Sequence, residues 1–288
     1  MEQFDEQKEQ SPEISSTYLS EEENVGAKLL LQHRYLSELM GGILPPLLEP
    51  AWGSEVLAIG WCVAGIVNEM ALRYPSMHVT GIDSNASLVD QAQTLVRDLG
   101  NATMLMQDIH QLDNKVFASA SFDLIYLRFF VGNVTLEQFP PLMQSLARIC
   151  RPRGLLVWTE TELPITTSPA CQQLCTMIQQ GLQVGGNSFA PGNSTWVTTH
   201  MDRWLSDAGF RIAQSKTYAI DISTGSKGHD TFVRQVEISG EQVRAYLLEK
   251  GIMTTAEFAE VFGKMQQDIQ QENFYGMLYL RTLVGVKL

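Results

Sequence analysis

Between residues 55 and 161, short apolar runs alternate with amphipathic stretches, and this alternation constrains the fold more than any other feature of the 288-residue chain. The apolar runs are typical of strands and cover residues 55–60, 78–83, 102–107, 122–127 and 154–161. Helical periodicity fills three of the intervals, at residues 64–74, 87–99 and 135–150. Strands that are apolar throughout and are separated by helices form parallel sheets covered on both faces. The sequence therefore predicts an α/β fold.

The flanking segments predict further elements. A helix over residues 25–40 ends at Gly41-Gly42 and Pro45-Pro46. Downstream, the patterns predict a helix at 199–208, a strand at 210–220 and a strand at 275–286. Between the two strands, residues 239–271 are typical of two helices, the second capped at Thr254-Thr255. The connection between these two strands is not a crossover of the kind found between residues 55 and 161. We therefore expect an antiparallel end to the sheet.

The charge of the chain is unevenly placed. The formal net charge is −12, from 32 acidic and 20 basic side chains, and seven of the excess negative charges fall within the first 23 residues. This arm is poor in apolar residues, which predicts a disordered acidic tail over residues 1–17, most simply a solubilising one. The acidic balance argues against nucleic acid and against an anionic membrane surface as partners.

No segment has the composition of a signal peptide or of a transmembrane helix. The N-terminus is acidic, and the apolar run at residues 56–67 spans only 12 residues, too few to cross a bilayer. The four cysteines, Cys62, Cys150, Cys171 and Cys175, lack the spacing of a disulfide framework or a zinc site. We therefore expect a cytoplasmic protein with reduced thiols and no metal.

One long stretch contains no charged residue. Residues 163–201 are 39 consecutive positions without Asp, Glu, Lys or Arg, and they are rich in Gln, Thr, Pro and Gly. A neutral, irregular segment after the fifth strand would suit a cover over an apolar ligand. A packed connecting segment is an equally good interpretation.

Short polar or small-residue turns follow the first three strands. Ligands of open parallel sheets bind beyond the carboxyl ends of the strands. Gly60 ends the first strand, and Asp83 ends the second, 23 residues later. An acid at the second position can accept hydrogen bonds from two ribose hydroxyls, and Asp108, after the third strand, can accept one from an exocyclic amine. The three turns together predict an adenosine site, although Asp83 could instead cap the following helix.

Residues 56–161 resemble the class I S-adenosylmethionine-dependent methyltransferases, in particular the bacterial enzymes that act on small molecules. The resemblance extends more weakly over residues 18–288. It rests on the following sequence segments: Arg73-Tyr74-Pro75, Val79-Thr80-Gly81-Ile82-Asp83, Phe122-Asp123-Leu124-Ile125-Tyr126-Leu127-Arg128-Phe129, Arg151-Pro152-Arg153-Gly154 and Ala208-Gly209-Phe210. It implies a Rossmann-like, seven-stranded sheet with helices on both faces and an antiparallel last strand. It also implies an N-terminal helical lid at 18–50, a core at 51–220, a helical insert at 221–274 that contributes to the substrate pocket, and the last strand at 275–288.

The same resemblance implies S-adenosylmethionine as cofactor and S-adenosylhomocysteine as product. The cofactor-binding residues that it implies are Gly60, Trp61, Cys62, Asp83, Ser84, Gln107, Asp108, Ile109 and Leu127, with Lys28 and Gln32 reaching from the lid. For Lys28 and Gln32, a solvated helix face is the alternative.

The first loop departs from the family pattern of an acid followed by Gly-x-Gly-x-Gly. The acid is replaced by Ala58, and the second and third glycines by Cys62 and Ala64. Loss of the acid removes a charge-assisted hydrogen bond worth roughly 1.5–3 kcal/mol. Three outcomes fit these changes: a methyltransferase with altered contacts, an enzyme of the same fold that no longer methylates (a cyclase or isomerase), or a binding protein without chemistry.

The catalytic residues are less clearly marked than the cofactor residues. The candidates are Glu160, His110, His33 and Arg128, with Glu162 as a further carboxylate; Arg128 could instead pair with Asp123 or Glu160. Aromatic side chains predict an apolar acceptor pocket: Tyr18, Phe129, Phe130, Phe189, Trp196, Phe232, Phe274 and Tyr275. We expect a small, natural-product-like substrate of secondary metabolism, and a monomer or homodimer.

Overall fold

The computed structural model describes residues 21–45, 52–60, 62–113, 115–130, 132, 134–189, 195 and 197–288, and for residues 21–29 only the backbone. The predicted acidic tail, Tyr18, Trp61 and Trp196 lie outside these residues, as does the side chain of Lys28.

Eight helices and eight strands make up the described part of the chain. The helices are α1 (Glu21–Leu39), α2 (Val63–Arg73), α3 (Ala86–Val96), α4 (Phe139–Ile149), α5 (Pro169–Val184), α6 (Val197–Asp207), α7 (His229–Glu249) and α8 (Thr255–Asp268). The strands are β1 (Glu55–Gly60), β2 (His78–Asp83), β3 (Ala102–Met106), β4 (Phe122–Arg128), β5 (Cys150–Thr161), β6 (Ile165–Thr166), β7 (Phe210–Asp221) and β8 (Gly276–Lys287).

The strands form one sheet in the order β3-β2-β1-β4-β5-β8-β6, and β7 also pairs with β8. β1 to β5 are mutually parallel, whereas β8 runs antiparallel to β5, β6 and β7. The predicted α/β, Rossmann-like sheet with an antiparallel end is therefore confirmed. The two-residue β6 brings the number of strands to eight instead of the predicted seven.

Apolar packing on both faces explains why the parallel strands are apolar throughout. On one face, side chains of β1, β4 and β5 pack against α4 and α6. On the other, alternate residues of the same strands pack against α2 and α3. A third apolar cluster joins α5, α7 and α8 to the first half of β8. This third layer covers the carboxyl ends of β4 and β5.

Two predictions about the later elements are corrected by the structure. The neutral segment is not irregular, because residues 169–184 form α5, which begins where Ser168 accepts a hydrogen bond from the Cys171 N–H at 3.0 Å. α7 begins at His229, ten residues before the predicted start. The second helix of this region begins as predicted: Thr254 and Glu257 form a reciprocal capping box. No helix of the described residues has the length and hydropathy needed to cross a bilayer.

Candidate functional site

The end of β1 lies against the backbone of β4. Gly60 has a φ of +120°, and a Cβ at this position would lie 1.9 Å from the carbonyl oxygen of Arg128. In the sheet register Gly60 is paired with Arg128. Only glycine satisfies both the conformation and the close approach. This explains physically why the first loop keeps this glycine.

Cys62 adopts a left-handed conformation, with φ 61° and ψ 33°, immediately before α2. That conformation normally favours glycine, so the cysteine carries strain. Burial raises the pKa of the Cys62 thiol to about 12, and its Sγ lies 3.8 Å from Oε1 of the buried Gln32 on α1. Ala64 lies in the first turn of α2, and Ala58 is buried in the core. α1 therefore covers the altered loop.

The two acids that follow β2 and β3 lie at neighbouring strand ends. Asp83 is paired with Met106, and the N–H of Gln107 donates to the Asp83 carbonyl at 2.9 Å. The carboxylate of Asp83 accepts a hydrogen bond from the Asn85 N–H at 2.8 Å, while Asn85 rather than Asp83 caps α3. Burial raises the pKa of Asp83, and its backbone hydrogen bonds oppose that rise.

Asp108 caps a short 3-10 helix, accepting from the His110 N–H at 2.9 Å. Both acids thus form local turns. Ser84 and His110 are exposed, and Gln107 and Ile109 are half-buried beside the third strand. Leu127 is fully buried in the core between β4 and α4, so only its backbone faces this edge.

Arg128, at the end of β4, is 1% exposed and lies against α1. Its Nη1 lies 3.1 Å from Nδ1 of His33 and 3.3 Å from Oγ of Ser37, and its Nη2 lies 3.8 Å from Sδ of Met40. Among the described residues, its Nε has no hydrogen-bond partner. The suggested ion pairs of Arg128 are corrected: Asp123 pairs with Arg151, and Glu160 accepts from backbone and indole N–H groups.

His33 connects Arg128 to a second helix. Its Nε2 lies 2.7 Å from Oε2 of Glu69, which also pairs with Arg73. A guanidinium can only donate, so Nδ1 of His33 accepts and Nε2 carries the proton that Glu69 receives. Burial lowers the pKa of His33, and the hydrogen bond that His33 donates to Glu69 opposes this shift. His33 is therefore a buried, neutral link between a cation and a carboxylate, not a free base.

The two carboxylates at the end of β5, Glu160 within the strand and Glu162 directly after it, both accept hydrogen bonds that hold the fold together. Oε1 of Glu160 accepts hydrogen bonds from the Phe130 N–H at 3.1 Å and from Nε1 of Trp158 at 3.0 Å. Glu162 accepts from the N–H of Thr198 at 2.9 Å and from its hydroxyl at 2.7 Å, at the start of α6. Each holds a structural role, and each also borders a cavity.

This cavity, of about 440 Å³, lies beside the ends of β4 and β5. Its walls come from α5, α7, α8, the first half of β8, and Leu36 of α1. Most side chains in the wall are apolar. Glu160 and Glu162 are the charged residues among the described lining residues, which include no Lys, Arg or His. Such a cavity suits a molecule that is neutral or cationic and mostly apolar.

The structure separates the aromatic residues that were predicted to line the acceptor pocket. Phe129, Phe189 and Phe232 border the cavity. Phe130 packs instead in the core against Phe139 and Trp158. Phe274 is 2% exposed and stacks on Phe232 behind the cavity wall, and Tyr275 is 60% exposed at the start of β8. These last three do not border the cavity.

Most of the wall comes from α5, within the neutral segment, and from α7, within the insert that was expected to contribute to the substrate pocket. Of their lining residues, only Phe232 was named as a pocket residue from the sequence. α5 contributes Cys171, Leu174, Cys175, Ile178 and Leu182, and α7 contributes Phe232, Gln235, Val236, Ser239, Gly240, Gln242, Val243 and Tyr246. The spacing of the α5 residues is the helical period of 3.6, which was a usable signal in the sequence.

Sequence comparisons relate part of the chain to known proteins. Residues 56–154 match the profile of a family described as "Methyltransferase domain". The trans-aconitate 2-methyltransferase of Deinococcus radiodurans is 25% identical over 232 residues, which cover 77% of this chain and 82% of that protein.

Two solved structures share the fold. A candidate methyltransferase from Bacillus halodurans C-125 has a TM-score of 0.52 at 12% identity and covers 90% of this chain and 98% of its own. The cyclase SpnF has a TM-score of 0.50 at 15% identity, and the match covers 92% of this chain and 96% of the SpnF chain. The profile match covers residues 56–154, and the two solved structures show that the chain as a whole shares their fold.

Proposed function

We propose that this protein is a methyltransferase that uses S-adenosylmethionine and acts on a small, largely apolar molecule. The observation that carries the proposal is the position of the apolar cavity. It borders Phe129, the residue directly after Arg128, and Arg128 is paired with Gly60 in the cofactor loop. A cofactor bound over β1 and a molecule in the cavity would therefore meet at the end of β4.

The residues at the nucleoside end of the proposed cofactor site fit an adenosine. Asp83 and Asp108 offer carboxylate oxygens at the ends of adjacent strands, and Gly60 brings the backbone of the loop close to β4. Adjacent strands lie about 4.8 Å apart, so the ends of β2 and β1 are within reach of one ribose. Asp83 would accept from the ribose hydroxyls and Asp108 from the adenine amine.

The methionine end differs from the family pattern. Ala58 cannot bind an ammonium group, whereas Arg128 places a buried cation with an unpartnered Nε beside the Cys62 thiol. Among the described residues, no carboxylate is bonded directly to Arg128. Arg128 and Gln32 therefore favour recognition of the cofactor carboxylate over its ammonium.

The charges in the wall of the cavity bear on the nature of the acceptor. Two carboxylates and no cation border it among the described residues, so a polyanion would be repelled. The Deinococcus relative acts on trans-aconitate, which carries three carboxylates. We propose that this chain accepts instead a neutral, natural-product-like molecule of secondary metabolism, in the cytoplasm.

Methyl transfer is an in-line displacement that depends mainly on positioning. The bound cofactor supplies an electrophilic methyl group. The residues of this chain hold the acceptor in an apolar cavity and exclude water from it. Glu160 already accepts two N–H hydrogen bonds through Oε1. We therefore assign it to fixing the ends of β4 and β5 rather than to removing a proton.

Calorimetric titration with S-adenosylmethionine and S-adenosylhomocysteine tests the proposal. Asp83→Asn keeps the turn to Asn85 but weakens the acceptor for ribose, and we expect an affinity loss of about tenfold or more. Asp90→Asn, on the exposed face of α3, is the matched control and should bind as the wild type does. No binding of either compound to the wild type at millimolar concentration would refute the proposal.

A second candidate function is supported by the altered loop. Ala58 and Cys62 change contacts that the family uses to hold the methionine moiety, and the cyclase SpnF has the same fold. An enzyme of this kind would rearrange a small apolar molecule without transferring a methyl group. Binding of the cofactor without release of S-adenosylhomocysteine, together with isomerisation of a bound apolar compound, would favour this candidate.

A further inference from the structure

Two of the described residues in the wall of the cavity carry a buried polar atom without a hydrogen-bond partner. Among the described residues, five side chains carry a buried nitrogen or oxygen atom with no hydrogen-bond partner. Two of these, Gln235 through Oε1 and Tyr246 through its hydroxyl, lie on α7 in the wall of the cavity. Leaving such a group unpaired is costly, so polar atoms of this kind in a cavity wall point to a ligand that pairs with them.

The polar residues of α7 share one face of the helix. Gln235, Ser239, Gln242 and Tyr246 are spaced by four, three and four residues, and all border the cavity. The Ser239 hydroxyl donates to the backbone carbonyl of Gln235 at 2.7 Å, so its proton is already used. Gln235 and Tyr246 are eleven residues apart, which corresponds to about 17 Å along the helix axis.

Tyr246 is held in place by the neighbouring helix. A Cβ at Gly181 of α5 would lie 2.7 Å from Cε1 of Tyr246, so the absence of a side chain there makes room for the ring. Burial raises the pKa of Tyr246, which keeps the hydroxyl protonated and able to donate. The ring therefore presents a fixed donor, whereas Oε1 of Gln235 presents an acceptor.

We propose that Gln235 and Tyr246 bind the acceptor molecule, and that this molecule is neutral, elongated and mostly apolar. It carries a hydroxyl or N–H that donates to Gln235 and an oxygen that accepts from Tyr246. The inference rests on the proposed function in taking the cavity as the acceptor site. The apolar face of α5 covers the hydrocarbon between the two polar groups, and the carboxylates of Glu160 and Glu162 exclude anionic compounds.

Three probes of equal chain length test the inference by calorimetry: dodecanediol with a hydroxyl at each end, dodecanol with one, and dodecanedioic acid with two carboxylates. The extended diol has a length close to the rise of about 17 Å along α7 between the two residues. We expect the wild type to bind the diol five- to tenfold more tightly than the alcohol, and to bind the diacid at least tenfold more weakly than the diol.

Tyr246→Phe and Gln235→Leu should each abolish the preference for the diol over the alcohol. Tyr275→Phe, at an exposed position outside the cavity, is the matched control and should keep it. A structural role for Tyr246 is tested by thermal unfolding. Removing a hydroxyl that has no partner should not lower the midpoint, whereas removing one that supports the fold would lower it.

Equal binding of diol and alcohol by the wild type, or a preference that persists in both variants, would overturn the inference. Titration with S-adenosylhomocysteine on the same samples separates this failure from that of the proposed function. Cofactor binding without a diol preference refutes only the acceptor inference. A diol preference without cofactor binding refutes only the proposed methyl transfer.

Discussion

Gly65 sets the distance between α1 and the first turn of α2. A Cβ at this position would lie 2.8 Å from both Cβ and Cγ of His33, and 2.9 Å from its Cδ2. These atoms are near the backbone of α1, so they cannot move away by a simple side-chain rotation. Gly65→Ala must therefore displace α1 or strain α2.

The expected cost follows from two opposing terms. Overpacking of a buried site costs about 1–3 kcal/mol. The higher helix propensity of alanine compared with glycine stabilises the helix by about 0.5–1 kcal/mol. We expect Gly65→Ala to lower the free energy of unfolding by about 1 kcal/mol, and by no more than about 2.5 kcal/mol. A shift of 1 kcal/mol moves the unfolding midpoint by roughly 2–4 °C in a chain of this size.

A second glycine provides the control. Gly263 lies within α8, and a Cβ there would meet no atom within 4 Å. Gly263→Ala should raise the free energy of unfolding by about 0.5–1 kcal/mol. Both variants are compared by urea unfolding and by titration with S-adenosylhomocysteine, which Gly65→Ala alone should weaken. If Gly65→Ala stabilises the protein as Gly263→Ala does, His33 of α1 does not pack against Gly65 of α2.

Three further predictions concern single sites. Cys62→Gly should relieve the left-handed strain, raise the free energy of unfolding by up to about 1 kcal/mol, and tighten cofactor binding; weaker binding in calorimetry would contradict this. The pKa of His33 lies below its ordinary value of 6.5, so the stability that the neutral ring contributes is complete above pH 6.5 and is lost as the pH falls below it. Urea unfolding from pH 7.5 to pH 5 should show this decline, and His33→Gln should flatten it. Thr254→Ala should cost about 1 kcal/mol through loss of the capping box, and an unchanged urea midpoint would refute that role.

The sequence predicted β1, β2, β4 and the second half of β5 well, because each is a largely buried apolar run bounded by turn residues, whereas the two-residue β6 was not predicted. It missed α5 because a helix is usually recognised by charged residues opposite an apolar face. In α5 the polar face consists of Gln and Thr, while Cys171, Leu174, Cys175 and Ile178 follow the helical period on the buried face.

Gly60, Asp83 and Asp108 could be proposed for a nucleotide site from the sequence, because the apolar pattern fixes the strand ends at which they stand. The contacts of Arg128 could not be predicted, since its partner His33 is 95 residues away in sequence. Nor does aromatic character reveal which side of a backbone a ring faces. Phe129 borders the cavity, whereas the adjacent Phe130 is buried in the opposite direction, under the sheet.

One helix touches both halves of the site. α1 places Gln32 and His33 against the cofactor loop, and four residues later Leu36 forms part of the cavity wall. Tyr35 of the same helix lies under the guanidinium of Arg234 on α7. A movement of α1 would therefore change the surroundings of both Cys62 and the cavity. Under the proposed function, binding of the cofactor and binding of the acceptor would be coupled through this helix, and the order of binding and release in the steady-state kinetics would show that coupling.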